Sequence, residues 1–230
     1  MFPDLPQKGV PIENHPLGPI IITGGAALAA IIALSKRDPP ADPPRKEPEA
    51  DLTTRFVAAI PEITSELNLE LATATQTETF TKSSQSFLWG LDLGTSTVQI
   101  TVPVTYRYHL CLRDPWRLDV REQRVIVHAP GFKAGLPPAI HTDQRRKLAV
   151  RGWCRGGTDD LMEQLEQEIT PTLNQYARDD RHLGLVRAQC RQSVAELVKL
   201  WLEREGRWGA PGYTEIQVCF PGEDPPRLLH

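Results

Sequence analysis

The strongest constraint on this chain is a long run of strict alternation from Thr97 to Leu112, reading TVQITVPVTYRYHLCL. Successive side chains of a β-strand point to opposite faces, so the pattern predicts one long strand with a buried face and a solvated face. Pro103 lies on the polar side and has no N–H to donate, which predicts an edge position or a bulge there. The buried face would comprise Val98, Ile100, Val102, Val104, Tyr106, Tyr108, Leu110 and Leu112.

The residues before this strand predict a helix and an antiparallel meander. Apolar residues recur three and four apart between residues 51 and 66, although Pro61 interrupts them. The threonine-rich stretch 67–81 predicts a strand. A polar turn at 82–86, a short strand at 87–93 and a turn at 94–96 would then lead into the long strand.

The residues after it predict further strands followed by helices. A strand or two is expected between Trp116 and His128. Thr158 would cap a helix, and Gly206 would end a second one that starts near Arg181. A last strand, 213–220, is expected to rejoin the sheet. The predicted class is α+β: an antiparallel meander packed by two or more C-terminal helices.

The composition limits the class of protein. The chain has 230 residues and a formal net charge of −3, without the basic stripe of a nucleic-acid binder. It has four cysteines, none in a CxxC pair or at zinc-ligand spacing, so we expect separate thiols, no metal and no cofactor. They are Cys111, Cys154, Cys190 and Cys219.

An uncharged apolar segment near the N-terminus predicts a membrane anchor. It follows a proline-rich tail, 1–16, and its length is close to the lower limit for a transmembrane helix over residues 17–35. A cleaved signal peptide and a buried soluble helix are the alternatives. The anchor residues would include Leu17, Ile20, Ile21, Gly24, Gly25, Ile31, Ile32 and Leu34.

The charges around this segment predict its orientation. Only Lys8 precedes it, whereas Lys36, Arg37, Arg45 and Lys46 follow it. The positive-inside rule therefore places the globular part, residues 51–220, in the cytoplasm, with an exported or periplasmic domain as the alternative. Residues 36–50, rich in proline and charge, would form an extended linker, and residues 221–230 a tail.

The segment from Gly90 to Thr97, GLDLGTST, carries the sharpest chemical motif. It resembles the first phosphate-binding loop of the actin, sugar-kinase and heat-shock-chaperone superfamily. That resemblance implies that Asp92, Gly94, Thr95 and Ser96 would hold ATP phosphates. A tight turn uses the same residue types for conformational reasons, and the chain is shorter than that superfamily's two domains. We expect a structural turn, with an ATP-binding phosphotransferase or ATPase as the alternative.

Three histidines in the β region are candidate acid–base groups: His109, His128 and His141. No nucleophile motif such as GxSxG and no HExxH pattern accompanies them, so we expect structural or surface histidines and a protein that is not an enzyme. The basic run Arg145-Arg146-Lys147 would form a solvated face or would contact anionic headgroups.

The order of motifs resembles a widespread bacterial family, the domain of unknown function numbered four-two-three-zero. The likeness covers roughly residues 51–220 and rests on Gly90-Leu91-Asp92-Leu93 and on Leu136-Pro137-Pro138-Ala139 before the helices. An apolar N-terminal segment, the strand Val102-Pro103-Val104-Thr105-Tyr106 and a final helix followed by a strand also make the chain loosely similar to the stomatin–prohibitin domain. Neither resemblance supplies catalytic residues. We expect a single-pass membrane protein whose domain binds another protein or assembles with itself.

Overall fold

The structure is a computed structural model that describes residues 21–24, 49–63, 68–89, 91–151 and 158–223. Within the predicted membrane anchor it describes only Ile21–Gly24, which form a short β-strand at those four positions and not a helix. The remaining anchor residues, the tail 1–16, most of the linker 36–50 and residues 224–230 lie outside the described part. Among the described residues, none of the helices is long and apolar enough to cross a membrane.

The described elements follow an α+β order, with strands first and the two longest helices near the end. They are β1 (Ile21–Gly24), α1 (Glu49–Ile63), β2 (Asn68–Leu88), β3 (Leu91–Cys111), β4 (Arg117–Arg121), β5 (Arg124–His128), β6 (Lys133–Ala134), β7 (Ala139–Ile140), β8 (Arg146–Val150), α2 (Thr158–Arg178), α3 (Asp180–Arg204) and β9 (Glu215–Cys219). One six-stranded sheet contains β1, β2, β3, β6, β7 and β8, and a second contains β4, β5 and β9.

The residues group into two compact units. The first takes in residues 74–106 and 135–182, and the second takes in residues 49–73, 107–134 and 183–223, apart from the gaps given above. Each of the long strands β2 and β3 contributes residues to both units.

The hairpin of β2 and β3 corrects the predicted meander. Residues 82–86 and 94–96 are not turns, and residues 87–93 are not a separate strand, because β2 runs to Leu88 and β3 begins at Leu91. Hydroxyl pairs join the two strands on the polar face: Ser83–Thr97 at 2.9 Å, Thr79–Thr101 at 3.2 Å and Thr75–Thr105 at 2.9 Å between oxygens. Cross-strand pairs of this kind keep a polar stretch in a ladder, which composition alone does not reveal.

The predicted buried face of β3 is confirmed. All eight of its apolar side chains, from Val98 to Leu112, are at most 5% exposed. In the first unit, α2 supplies a buried stripe at helical spacing: Leu161, Leu165, Ile169, Leu173 and Ala177. Phe80 of β2 stacks on Tyr176 of α2 with ring centroids 6.4 Å apart. The helix starts at the predicted Thr158 and continues past Pro171 to Arg178.

Three short strands share one side of β3, and Pro103 faces the break between two of them. β7 ends at Ile140 and β8 starts at Arg146, and the Pro103 carbonyl accepts a hydrogen bond from the His141 N–H at 3.0 Å. The amide nitrogen and carbonyl of one strand residue point to the same side. The N–H that Pro103 lacks would have pointed at His141, just beyond the end of β7. Its absence therefore costs the pairing of β3 with β7 and β8 little.

The second unit corrects the predicted position of the last strand. β9 pairs with β5 in parallel and belongs to the sheet of β4, β5 and β9, whereas we expected it to rejoin the sheet of β3. A parallel pair needs a long crossover connection, and α3 lies between β5 and β9 in the chain. Gly206, with φ of +66°, follows the end of α3 as predicted.

The core of the second unit includes an aromatic cluster on α1. The ring of Phe56 packs edge-on against Trp116 at 5.2 Å and against Trp201 at 5.1 Å between centroids. Thr53 adds a polar anchor, because its hydroxyl donates to the Leu118 carbonyl and accepts from the Leu118 N–H at 2.9 Å.

We expect the Phe56→Ala substitution to lower the free energy of unfolding by about 3–5 kcal/mol, because it leaves a cavity between two indole rings. The neighbouring Val57 is exposed, so Val57→Ala is the matched control and should change stability by less than about 0.5 kcal/mol. Urea denaturation followed by circular dichroism measures both. Equal effects of the two substitutions would contradict the packing described for α1.

Candidate functional site

The predicted phosphate-loop residues lie at the start of β3 and not in a turn. Gly94 adopts φ of +92° within the strand, Thr95 is exposed, and Ser96 is buried. Asp92 is part of the strand, but its side chain lies outside the described part of the structure. The use of these residues for phosphate binding remains a prediction.

The three candidate histidines are dispersed over the sheets. His128 of β5 places Nε2 3.0 Å from Asp119 Oδ2, and Arg117 also binds that carboxylate. His141 places Nε2 2.8 Å from the Thr105 hydroxyl. His109 lies in β3 with Lys133 of β6 as its register partner. The structure does not bring the three together.

A buried polar cluster in the first unit was not predicted from the sequence. Its members are Gln76 and Glu78 of β2, Tyr106 of β3 and His182 of α3. Glu78 accepts hydrogen bonds from the Gln76 amide and, at 2.8 Å, from the Tyr106 hydroxyl. His182 Nε2 lies 2.7 Å from the Gln76 amide nitrogen and 3.8 Å from Glu78 Oε1. The polar groups of Gln76, Tyr106 and His182 thus converge on the carboxylate of Glu78.

Burial alone would raise the pKa of Glu78, but contacts with His182, Tyr106 and Gln76 outweigh it and hold that pKa below its ordinary value. An imidazole beside an ionised carboxylate is suited to acid–base chemistry. A substrate would have little access to these groups, because Gln76, Glu78 and His182 are all at least nine-tenths buried. A depression of about 320 Å³ on α2 lies along Gln164, Gln167, Glu168, Pro171 and Thr172, and includes none of the cluster. The arrangement therefore fixes β2, β3 and the start of α3 in the first unit.

The exposed edge of the first unit's sheet is a second candidate site. β8 pairs with β3 from Thr97↔Val150 to Thr101↔Arg146, and pairs with no other strand in the described part of the chain. Pro103 directs its carbonyl to the side of β3 on which β7 and β8 lie. Alternate residues of a strand direct their backbone groups to the same side, so Thr101, Gln99 and Thr97 also direct theirs toward β8. Their register partners Arg146, Leu148 and Val150 use their backbone groups toward β3.

The alternation leaves Lys147 and Ala149 with backbone N–H and C=O groups directed away from β3. The side chains on the threonine face of β8 are also exposed, Leu148 at 57% and Val150 at 55%. On the opposite face, Lys147 and Arg145 form ion pairs with Glu166 of α2. Arg146 and Arg151 are exposed as well. The edge thus offers hydrogen-bonding backbone, two apolar side chains and positive charge.

The described residues hold no group of three or more histidine, cysteine, aspartate and glutamate side chains that could bind a metal ion. Three of the four cysteines are described, Cys111, Cys190 and Cys219, and none of them is in a disulfide. Burial raises the pKa of the Cys190 thiol to about 12, so this thiol is a poor nucleophile.

Neither candidate site was predicted from the sequence, for identifiable reasons. Gln76 and Glu78 lie on the even, apolar side of a threonine-rich strand, and two polar residues on a buried face were the available signal for a core cluster. The sequence of residues 139–150 predicts no particular element, because it is mostly polar and a strand of five residues that starts with two charges has little periodicity. The exposed edge could not be located without that strand.

Comparisons of the chain with protein-family models, with curated proteins and with solved structures found no match.

We expect the folded state to lose stability as the pH falls, in part through Glu78. Its pKa in the folded protein lies below the ordinary value of 4.5, so the ionised group stabilises the fold above the unfolded pKa. That contribution is lost as the pH falls through the folded pKa. Urea denaturation at a series of pH values from neutral to acidic should show a shallower loss of stability for Glu78→Gln than for the wild type.

The exposed Glu163 of α2 provides the control, because Glu163→Gln should retain the pH dependence of the wild type. Parallel curves for the wild type and Glu78→Gln would contradict the role of the buried carboxylate.

Proposed function

We propose that this protein is a single-pass membrane-anchored protein whose α+β domain binds an extended segment of another protein at the exposed edge of β8. The observation that carries the proposal is the exposed β8 backbone at Lys147 and Ala149. An open sheet edge presents paired donors and acceptors to any extended chain, and recognition by strand addition uses them.

The charge at this edge favours an acidic partner. Arg146, the first residue of β8, and Arg151, which follows the strand, are exposed, whereas Lys147 and Arg145 already contact Glu166. A segment with acidic side chains near the two arginines and apolar side chains beside Leu148 and Val150 would match both features. Complementary charge of this kind sets the choice of partner and the rate of association more than affinity.

A second copy of the chain is the other protein that the edge could accept. In an antiparallel pair centred on Leu148, Arg146 of one copy would lie opposite Val150 of the other. Within β8 like charges would then be separated, whereas just beyond the strand Arg145 of one copy, which is paired with Glu166, would lie opposite Arg151 of the other. Self-assembly is therefore compatible with the residues of β8 itself.

The proposed membrane attachment rests on the uncharged segment 17–34, whose length and lack of charge fit a bilayer-spanning helix. Ile21–Gly24 of this segment form β1 beside β2 in the structure, so the proposal requires β1 to leave the sheet when the segment enters a bilayer.

The Ala149→Pro substitution tests the edge directly. Proline removes an N–H that is directed away from β3, so we expect the β3–β8 ladder to remain and strand addition to stop. Two measurements are made on the full chain in detergent micelles. Fluorescence anisotropy follows a labelled peptide of alternating valine and glutamate, and sedimentation velocity reports the oligomeric state. We expect the wild type to bind the peptide or to self-associate, and Ala149→Pro to reduce that interaction at least tenfold.

Ala149→Thr is the matched control, since it keeps the N–H and favours an extended backbone, and it should behave as the wild type. A monomeric wild type that ignores the peptide would contradict the proposal. An interaction that survives Ala149→Pro would also contradict it, because it would have to use another surface.

A further inference from the structure

The end of β2 and the turn that follows it expose two aromatic side chains. Trp89 is 93% exposed and Phe87 is 48% exposed. By contrast, Trp116 and Trp201 are buried, and Trp208 is half-buried beneath the Lys199 ammonium at 5.6 Å. Large aromatic side chains normally contribute to cores and interfaces. We call Phe87 and Trp89 the hairpin tip.

The backbone at Trp89 is costly as well as exposed. Its φ of +48° lies in the left-handed region, which a residue with a bulky side chain rarely adopts. Glycine or asparagine would suit this turn position better. A residue that is unfavourable for the turn and contributes little to the described packing is explained by a function outside the fold.

The residues from Ser83 to Leu91 carry no charge, and Asp92 is the next residue along β3. From Ser83 to Leu91 the sequence reads SSQSFLWGL, and the preceding Lys82 is already paired with Glu168 of α2 at 2.5 Å. Phe87 and Trp89 can therefore enter the interfacial region, whereas the Asp92 carboxylate has to stay among the polar headgroups, because desolvating an ionised side chain is the main obstacle to entering an apolar phase.

We propose that the hairpin tip inserts Phe87 and Trp89 into the interfacial region of a lipid bilayer. Tryptophan suits this region because its ring is apolar and its indole N–H can reach polar headgroups. The bilayer also accepts a turn whose side chains project outward, whereas a protein partner would have to supply a matching pocket. The inference goes beyond strand addition at β8 and does not depend on it.

Quenching of tryptophan fluorescence by brominated phosphatidylcholine tests the inference. The full chain is reconstituted by detergent dialysis into phosphatidylcholine vesicles with and without bromine on the acyl chains. All five tryptophans lie outside residues 17–35, so the proposed anchor itself contributes no emission. We expect bromine to remove emission of the order of one part in five, because Trp89 is one of five emitters.

The Trp89→Gly variant should lose this quenching. Glycine adopts positive φ without steric cost, so its melting temperature should equal or exceed that of the wild type, which separates lost insertion from lost folding. Trp208→Phe is the matched control, since it removes a half-buried tryptophan and should leave the bromine-dependent loss unchanged. The loss should not increase when anionic phosphatidylglycerol is added, because the charged residues next to the tip in the sequence are Asp92 and Lys82, and Lys82 is paired with Glu168.

Equal bromine-dependent quenching in the wild type and in Trp89→Gly would overturn the inference, and so would an absence of quenching in the wild type. Either result would assign the tip to a protein partner or to solvent. Quenching that appears only with phosphatidylglycerol would also overturn it, by pointing to basic residues elsewhere. None of these results bears on the effect of Ala149→Pro, so the two proposals can fail separately.

Discussion

Burial of the even-numbered face of β3 is the interaction on which the rest of the structure depends. The side chains from Val98 to Leu112 are almost fully removed from water, and a slip of one residue would exchange this face for the polar one. In the first unit the apolar stripe of α2 and the side chain of Phe80 in β2 are buried as well. The register of β3 therefore decides where its partners β2, β7 and β8 can pair.

The polar cluster around Glu78 shows how this core tolerates an ionised group. Gln76 and Tyr106 donate to the carboxylate, and His182 lies beside it. A buried charge without such partners would cost far more than its contacts return. Burial has a consequence for chemistry as well, since a carboxylate held by these contacts inside the protein is poorly accessible to a ligand.

The two proposed contacts use backbone groups and aromatic side chains that the core does not bury. β8 covers one side of β3 and exposes its own backbone in doing so, whereas the turn at Trp89 exposes aromatic surface that the core does not take up. Both lie in the first unit. They differ in chemistry, because the edge of β8 offers hydrogen bonds and positive charge and the hairpin tip offers uncharged aromatic surface.

The sequence by itself determined the long strand, its buried face, and the helices that begin at Thr158 and end before Gly206, because periodicity and capping are local properties. It did not determine the length of β2 and β3, since polar serines and glycine resemble a turn until cross-strand partners such as Ser83 and Thr97 are known. Nor did it place β9 in a parallel pair, locate the open edge at β8, or gather Glu78 and His182. Those features depend on residues far apart in the chain, and only the tertiary structure brings such residues together.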